Sequence, residues 1–265
     1  MDCPGQKDMC SYMNFEFEAK DHIAIITINH PPANTFNLAA LEEFENVIDR
    51  VESDNDIRVV IITGAGEKCF SAGFDVNDKA NIQLASPLGR RLWQRIDCFP
   101  KPVIAAINGH ALGGGLELAM SCHFRIMVDK PKAMLGLTEL NLGIIPGWGG
   151  TQRLPRIVGR KKALDMILFS KKISPAKALK IGLVDKKSDS GALMDDALAF
   201  SQKIAKLPPI AVRCVLNAFS AGLYEGLVAG LEKEAQGSAI VRDTEDRNEG
   251  FTAFLERRKP QFSGK

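Results

Sequence analysis

Lys101–Leu118 reads K-P-V-I-A-A-I-N-G-H-A-L-G-G-G-L-E-L, and the order of residue types in it sets the fold class. Val103–Asn108 (VIAAIN) is apolar at every position but its last, the pattern of a strand buried on both faces. The three glycines Gly113–Gly115 then allow a tight crossing, and Leu116–Leu118 open a segment with helical spacing. A helix beginning there would leave its first N–H groups without partners, making an anion or oxyanion site that its dipole favours further. A glycine cluster that merely lets strand and helix pack closely is the other reading, and the residues alone do not separate the two. A dinucleotide fingerprint would need glycine or alanine at Leu118, and no G-x-x-x-x-G-K-[ST] occurs.

Outward from this segment the pattern repeats. His22–Asn29 (HIAIITIN) and Ile57–Thr63 (IRVVIIT) are further buried strands, and H-P-P-A-N at His30–Asn34 is a turn. Helical spacing runs through Leu38–Val51, and Leu88–Asp97 reads as an amphipathic helix. Strands alternating with helices predict an α/β fold with a largely parallel sheet and right-handed crossovers. After about residue 197 the chain turns helical, with segments at Ala211–Ala221, Leu223–Val241 and Thr244–Arg258 and a joint at Pro208-Pro209. Two parts are therefore expected, 1–197 as the core and 198–265 as a helical region lying against the core or another subunit.

Whole-chain properties exclude several classes. The formal charge is +2 over 265 residues, too small to mark a nucleic-acid or membrane surface. Met1–Met13 has no apolar run behind a basic segment and no arginine, and no apolar stretch reaches membrane-spanning length; a cytoplasmic protein is expected. Six cysteines without a C-x-x-C pair read as reduced structural thiols, and four histidines without H-x-x-x-H or H-E-x-x-H spacing give no metal site.

Two glutamates stand in apolar settings. Glu117 sits among Leu116, Leu118, Ala119 and Met120, and Glu139 lies in L-G-L-T-E-L-N-L-G-I-I-P at Leu135–Pro146, where glycine and proline argue for a loop. Burial raises a carboxyl pKa toward the range useful for proton transfer, and a pair of carboxylates suits activation of water by one and proton delivery by the other. Glu117 on a surface, or paired with a core arginine such as Arg125, is the alternative. K-C-F-S-A-G-F-D at Lys68–Asp75 offers a second unobstructed turn at Ala72-Gly73. It is not a nucleophile elbow, because that would need glycine at Cys69.

The set F-S-A-G-F-D (70–75), K-P-V-I-A-A-I-N-G (101–109), A-L-G-G-G-L-E-L (111–118), G-L-T-E-L-N-L-G-I-I-P-G-W-G-G-T-Q-R-L (136–154), I-S-P-A-K-A-L-K-I-G-L-V (173–184) and F-L-E-R-R-K-P (254–260) resembles the crotonase (enoyl-CoA hydratase/isomerase) family in motif and in order. That resemblance implies a spiral of β-β-α units followed by a helical trimerisation region, a homotrimer or homohexamer, and an acyl-CoA thioester as substrate. It implies no metal and no cofactor, coenzyme A being part of the substrate, and a setting in lipid metabolism such as fatty-acid β-oxidation. Phe74 and Gly114 occupy the positions whose backbone N–H groups form the family's oxyanion hole. Ser71, Ala72, Gly73, Asp75, Gly113, Trp148, Phe254 and Arg257 occupy substrate- or CoA-binding positions, the last two toward a neighbouring subunit.

Glutamate at both 117 and 139 matches the hydratase branch. There Glu117 would deprotonate the water attacking C3 and Glu139 would protonate C2 of a trans-2-enoyl-CoA, in a syn addition. An enoyl-CoA isomerase, or a hydratase of a cyclic or branched substrate, is the runner-up. One hydratase-like relative binds RNA through a lysine-rich helix; the corresponding Lys79–Ile96 has its basic residues interrupted by apolar ones and fits an ordinary amphipathic helix. Two departures stand out. Phe74 replaces the small residue of many hydratases, with a ring able to narrow the acyl pocket, and Asn77 stands where a lysine often helps bind CoA phosphate.

Overall fold

The computed structural model describes residues 8–11 and 13–265. Most of the Met1–Met13 segment discussed above, with Cys3, lies outside the described residues. The strands are β1 (Asp8–Ser11), β2 (Phe15–Lys20), β3 (Ile23–Ile28), β4 (Thr35–Phe36), β5 (Val59–Gly64), β6 (Cys69–Ser71), β7 (Gly73–Phe74), β8 (Val103–Ile107), β9 (His110–Leu112), β10 (Phe124–Val128), β11 (Leu135–Gly136) and β12 (Lys186–Ser188). The helices are α1 (Leu38–Ser53), α2 (Ile82–Asp97), α3 (Gly114–Ser121), α4 (Gly150–Val158), α5 (Arg160–Leu168), α6 (Pro175–Lys180), α7 (Leu193–Ala205), α8 (Pro209–Tyr224), α9 (Leu227–Arg242) and α10 (Glu245–Leu255).

The strands form a seven-stranded sheet in the order β1-β2-β3-β5-β8-β10-β12, a three-stranded sheet β11-β9-β6 and a pair β4-β7. The expected parallel pairing holds from β3 to β12, while β1, β2 and β3 pair antiparallel. Strand β2 carries its own signal: Phe15 and Phe17 are buried and alternate with Glu16 and Glu18, the two-residue period of a strand with one solvated face. Strands β5 and β8 are buried at every position, as continuous apolar runs require.

Four strand–strand–helix units succeed one another: β3-β4-α1, β5-β6-β7-α2, β8-β9-α3 and β10-β11 leading to α4. Their first strands stack side by side in the large sheet, and β6, β9 and β11 stack in the small one. The chain thus climbs as a spiral, and each turn sets its loop beside the loop of the turn before.

Helix α2 begins at Ile82, six residues before the predicted start. Pro87 lies inside it, where proline normally ends a helix. Burial of Ala85, Gly89, Leu92, Trp93 and Ile96 along one face carries the helix through. Residue 197 falls within α7, which packs on β3, β5, β8 and β10, so that helix belongs to the sheet's cover. The turn away from the core comes at Pro208-Pro209, where α7 and α8 meet at 102°. Beyond it α8 and α9 pack on each other and present Val215, Phe219, Leu227 and Val228 to solvent. Among the described residues no single helix is long and apolar enough to cross a membrane, and Cys69, Cys98, Cys122 and Cys214 are free thiols.

Candidate active site

Helix α3 starts directly after β9, and Gly113 caps it at φ 51°, a left-handed conformation that a side chain would strain. The glycines that follow are there for space. A Cβ on Gly115 would stand 2.1 Å from Ser71 O, and one on Gly114 would stand 2.4 Å from the Trp148 ring. Gly114 is the first helical residue, so its N–H has no intrahelical acceptor. Opposite it, Asp75 N–H donates to Phe36 O at 2.9 Å. Peptide groups alternate sides along a strand, so the Phe74 N–H lies on the edge of β7 that β4 does not occupy. Gly73 brings this edge onto α3: a Cβ there would be 2.5 Å from Gly114 N. The two glycine-rich turns read separately in the sequence are one structure.

Glu117 lies one turn into α3 and is 2% exposed. Its Oε1 accepts hydrogen bonds from the backbone N–H groups of Trp148 (2.8 Å) and Gly150 (2.7 Å). It is not paired with Arg125, whose guanidinium donates to Cys122 O and Leu183 O. Glu139 heads a 3-10 turn, Glu139–Leu142, and is 9% exposed, with neither carboxylate oxygen hydrogen-bonded. Its Oε1 faces Gly113 so closely that a Cβ there would be 3.2 Å away.

Burial raises the Glu117 pKa from 4.5 to about 7; the charge of Glu139 adds to this, and the two backbone donors and Arg153 oppose it. Burial likewise raises Glu139 to about 7, with the amides of Thr138 and Glu139 pulling back from beyond hydrogen-bonding geometry. Both carboxyls are therefore raised toward neutrality. Donors on Glu117 favour its charged form, and their absence on Glu139 favours its neutral form.

A cavity of about 310 Å³ joins these groups, lined by Ala72, Phe74, Gly113, Gly114, both glutamates and Trp148. The Trp148 ring stands edge-on to Phe74 (6.2 Å) and Trp93 (5.0 Å), so it walls the cavity and packs the core at once. Val76, Ile82, Ser86, Arg90, Thr138, Leu142, Ile144, Ile145 and Gly147 complete the lining, and none is a candidate site residue by sequence. One signal was present: L-N-L-G-I-I at 140–145 is an aliphatic run in a loop, and Ile145 is 68% exposed.

Other expected site residues lie elsewhere. The Ser71 hydroxyl is buried, donating to Asn34 O (2.6 Å) and accepting from Gly73 N–H (3.1 Å), so it shapes the turn without facing the cavity. Gly73 acts by its proximity to Gly114. Asp75 caps the 3-10 turn Val76–Asn81 by accepting from the Asn77 N–H and side chain. Phe254, 81% exposed, and Arg257 sit at the end of α10 and do not line this cavity within one chain.

A spiral α/β core that sets the Phe74 and Gly114 amides beside two buried carboxylates in one cavity supplies groups able to hold a developing oxyanion and to move protons. Comparison with known proteins gives the family. The family model described as enoyl-CoA hydratase/isomerase matches residues 18–265. A probable enoyl-CoA hydratase of Bacillus subtilis is 43% identical over 249 residues, covering 91% of this chain and 95% of that protein. The short-chain-enoyl-CoA hydratase of Clostridium acetobutylicum is 39% identical, covering 93% and 96%. A crystal structure of an enoyl-CoA hydratase from Geobacillus kaustophilus superposes with a TM-score of 0.93 at 32% identity, over 98% of this chain and 100% of that one. The chain belongs to the enoyl-CoA hydratase/isomerase family and has the crotonase fold.

Proposed function

We propose that this protein hydrates a trans-2-enoyl-CoA to a 3-hydroxyacyl-CoA. The observation that carries the reading is the convergence of Glu117 and Glu139, 22 residues apart in sequence, on one cavity beside Gly114 and Phe74. The thioester oxygen takes the Phe74 and Gly114 N–H groups, where one donor of this kind is typically worth about 2.7–4 kcal/mol in the transition state. Glu117, held charged through Oε1, accepts a proton from water through Oε2 as the oxygen attacks C3. Glu139, held neutral, gives its proton to C2 of the enolate on the same face. The two proton transfers leave Glu117 protonated and Glu139 charged, and exchange with solvent resets the pair.

Coenzyme A enters only as part of the substrate. The apolar surface of α8 and α9 supports a homotrimer or a dimer of trimers, and in such an assembly Phe254 and Arg257 would approach a neighbour's CoA. Loss of enoyl absorbance with crotonyl-CoA tests the activity. Glu117→Gln and Glu139→Gln are each expected to lower kcat by about 10²–10⁴ while acyl-CoA still binds. Absence of hydration of every linear enoyl-CoA would reject the proposal, and a panel with Δ3, cyclic and branched substrates would then distinguish an isomerase from a hydratase of another acyl class.

A further inference from the structure

Glu117 depends on a loop, because both of its donors come from the segment Trp148–Gly150. That loop is clamped from behind. Arg153, in the first turn of α4 and 8% exposed, donates through Nη1 to Trp148 O at 2.8 Å. The carbonyl it holds belongs to the peptide between the two that donate to Glu117, so fixing it fixes both. Arg153 Nε donates to Asp97 at the end of α2, Nη2 donates to Gln94, and Asp97 accepts from the Tyr224 hydroxyl on α8. The guanidinium lies over Gly149, where a Cβ would stand 2.0 Å from Nη1.

Resting on the hydratase reading above, we infer that Arg153, braced by Asp97 and Tyr224, is the positioning residue that aims two backbone donors at Glu117 and thereby ties the general base to the first of the C-terminal helices. A buried guanidinium needs a carboxylate whatever its role, so Asp97 satisfies the charge, and what distinguishes Arg153 is that its Nη1 holds the one peptide lying between the two donors to Glu117. Arg125 supplies the contrast: it is also 8% exposed, donates to the backbone carbonyls of Cys122 and Leu183 and pairs with Asp185, but none of these partners touches Glu117.

The charged groups that act on Glu117 are Glu139 from the 3-10 turn and Arg153 from α4; Arg90 of α2 lines the same cavity, and Asp97 of α2 stands behind Arg153. His110 on β9 accepts from Met134 N–H, and Cys69 on β6 donates to His110 O. Loss of the Arg153 charge and loosening of its loop act in one direction: both disfavour the carboxylate, so the acid limb of the kcat profile moves to higher pH.

The full-length protein carrying Arg153→Met, Arg153→Lys, Tyr224→Phe or Arg125→Met is assayed with crotonyl-CoA from about pH 5 to about pH 9 beside thermal melts. Arg153→Met is expected to lower kcat about tenfold or more, to leave KM within about twofold and to shift the acid limb upward. Tyr224→Phe is expected to do the same to a smaller extent, Arg153→Lys to recover part of the loss, and Arg125→Met to lower only the melting temperature. Should Arg153→Met fail to fold, Tyr224→Phe decides. An unmoved limb in Tyr224→Phe, or an equal shift in Arg125→Met, overturns the inference. Retained turnover in Glu117→Gln would instead reject Glu117 as the general base, and absence of hydration by the parent protein would reject the hydratase reading itself.

Discussion

A methyl group at Gly114 is the sharpest test of the oxyanion arrangement, because the structure leaves it nowhere to go. In Gly114→Ala the new Cβ would lie 2.4 Å from Trp148 Cζ3. Carbon atoms rest at about 3.5–4.0 Å, so more than about 1 Å of separation has to be found. The indole cannot supply it: Trp93 packs on it at 5.0 Å, and on α2 Gly89 approaches so closely that a Cβ there would be 2.4 Å from the ring. The backbone of Gly114 must move instead, although Trp93 Nε1 holds its carbonyl at 2.9 Å. Overpacking of this kind costs about 1–3 kcal/mol of stability. A donor displaced by about 1 Å no longer reaches an oxyanion, which costs about 10²–10³ in kcat. Crotonyl-CoA hydration followed by enoyl absorbance, with a melt to correct for the folded fraction, measures both. A kcat within about threefold of the parent beside a lowered melting temperature would show that the Gly114 amide is not an oxyanion donor.

Three further outcomes follow from the same geometry. The profile of kcat/KM against pH should be bell-shaped with its maximum near neutrality, since protonation of Glu117 removes the base and ionisation of Glu139 removes the acid around the same pH of about 7; a flat profile from about pH 5 to about pH 9 would contradict the paired mechanism. Each carboxyl has a folded pKa raised above its unfolded value, so the fold loses stability as pH rises from 4.5 to about 7. Glu139→Gln, which cannot ionise, should therefore be more stable than the parent by up to an order of 3 kcal/mol at about pH 8 and nearly equal to it at about pH 4, in chemical denaturation. Phe74→Ala keeps its backbone N–H and removes a ring facing Trp148 across the cavity, so KM for longer enoyl-CoA chains should fall while kcat on crotonyl-CoA changes little; unchanged preference across a chain-length panel would show that Phe74 does not limit the acyl pocket.

What the sequence made legible and what it hid divide along physical lines. Buried strands announced themselves, because β5 and β8 are short, β-branched-rich runs, apolar but for Thr63 and Gly64, as a doubly covered sheet requires. The unusual setting of Glu117 was also legible, since a carboxylate among aliphatic residues has few structural uses. The Trp148–Gly150 donors were not, because a backbone N–H leaves no mark on residue identity. Ser71 misled for the opposite reason: a hydroxyl beside a functional turn looks like a ligand, and only the fold shows that Asn34 O takes its proton. The extent of α2 was hidden by Pro87, whose local cost is outweighed by a buried face made in tertiary structure.

The meeting of two glutamates 22 residues apart has its cause in strand register. Strand β11 pairs parallel with β9, setting Leu135 beside Ala111 and Gly136 beside Leu112, and Gly113 N–H continues the ladder to Gly136 O at 2.9 Å. The two strands then part in opposite fashions. After β9 the glycines turn the chain into α3, which carries Glu117 inward within one turn. After β11 the chain tightens into a 3-10 turn, whose first residue, Glu139, falls against Gly113. Successive turns of the spiral thus each contribute one carboxylate, and the parallel ladder between them fixes the spacing. A two-residue slip of β11 would preserve which faces are buried yet carry Glu139 along the strand by about 6–7 Å, out of reach of Gly113. The site is therefore specified by register, and residues outside the cavity that secure register, such as Ile173, which exchanges backbone bonds of 2.8 and 3.0 Å with Leu135, determine where Glu139 stands.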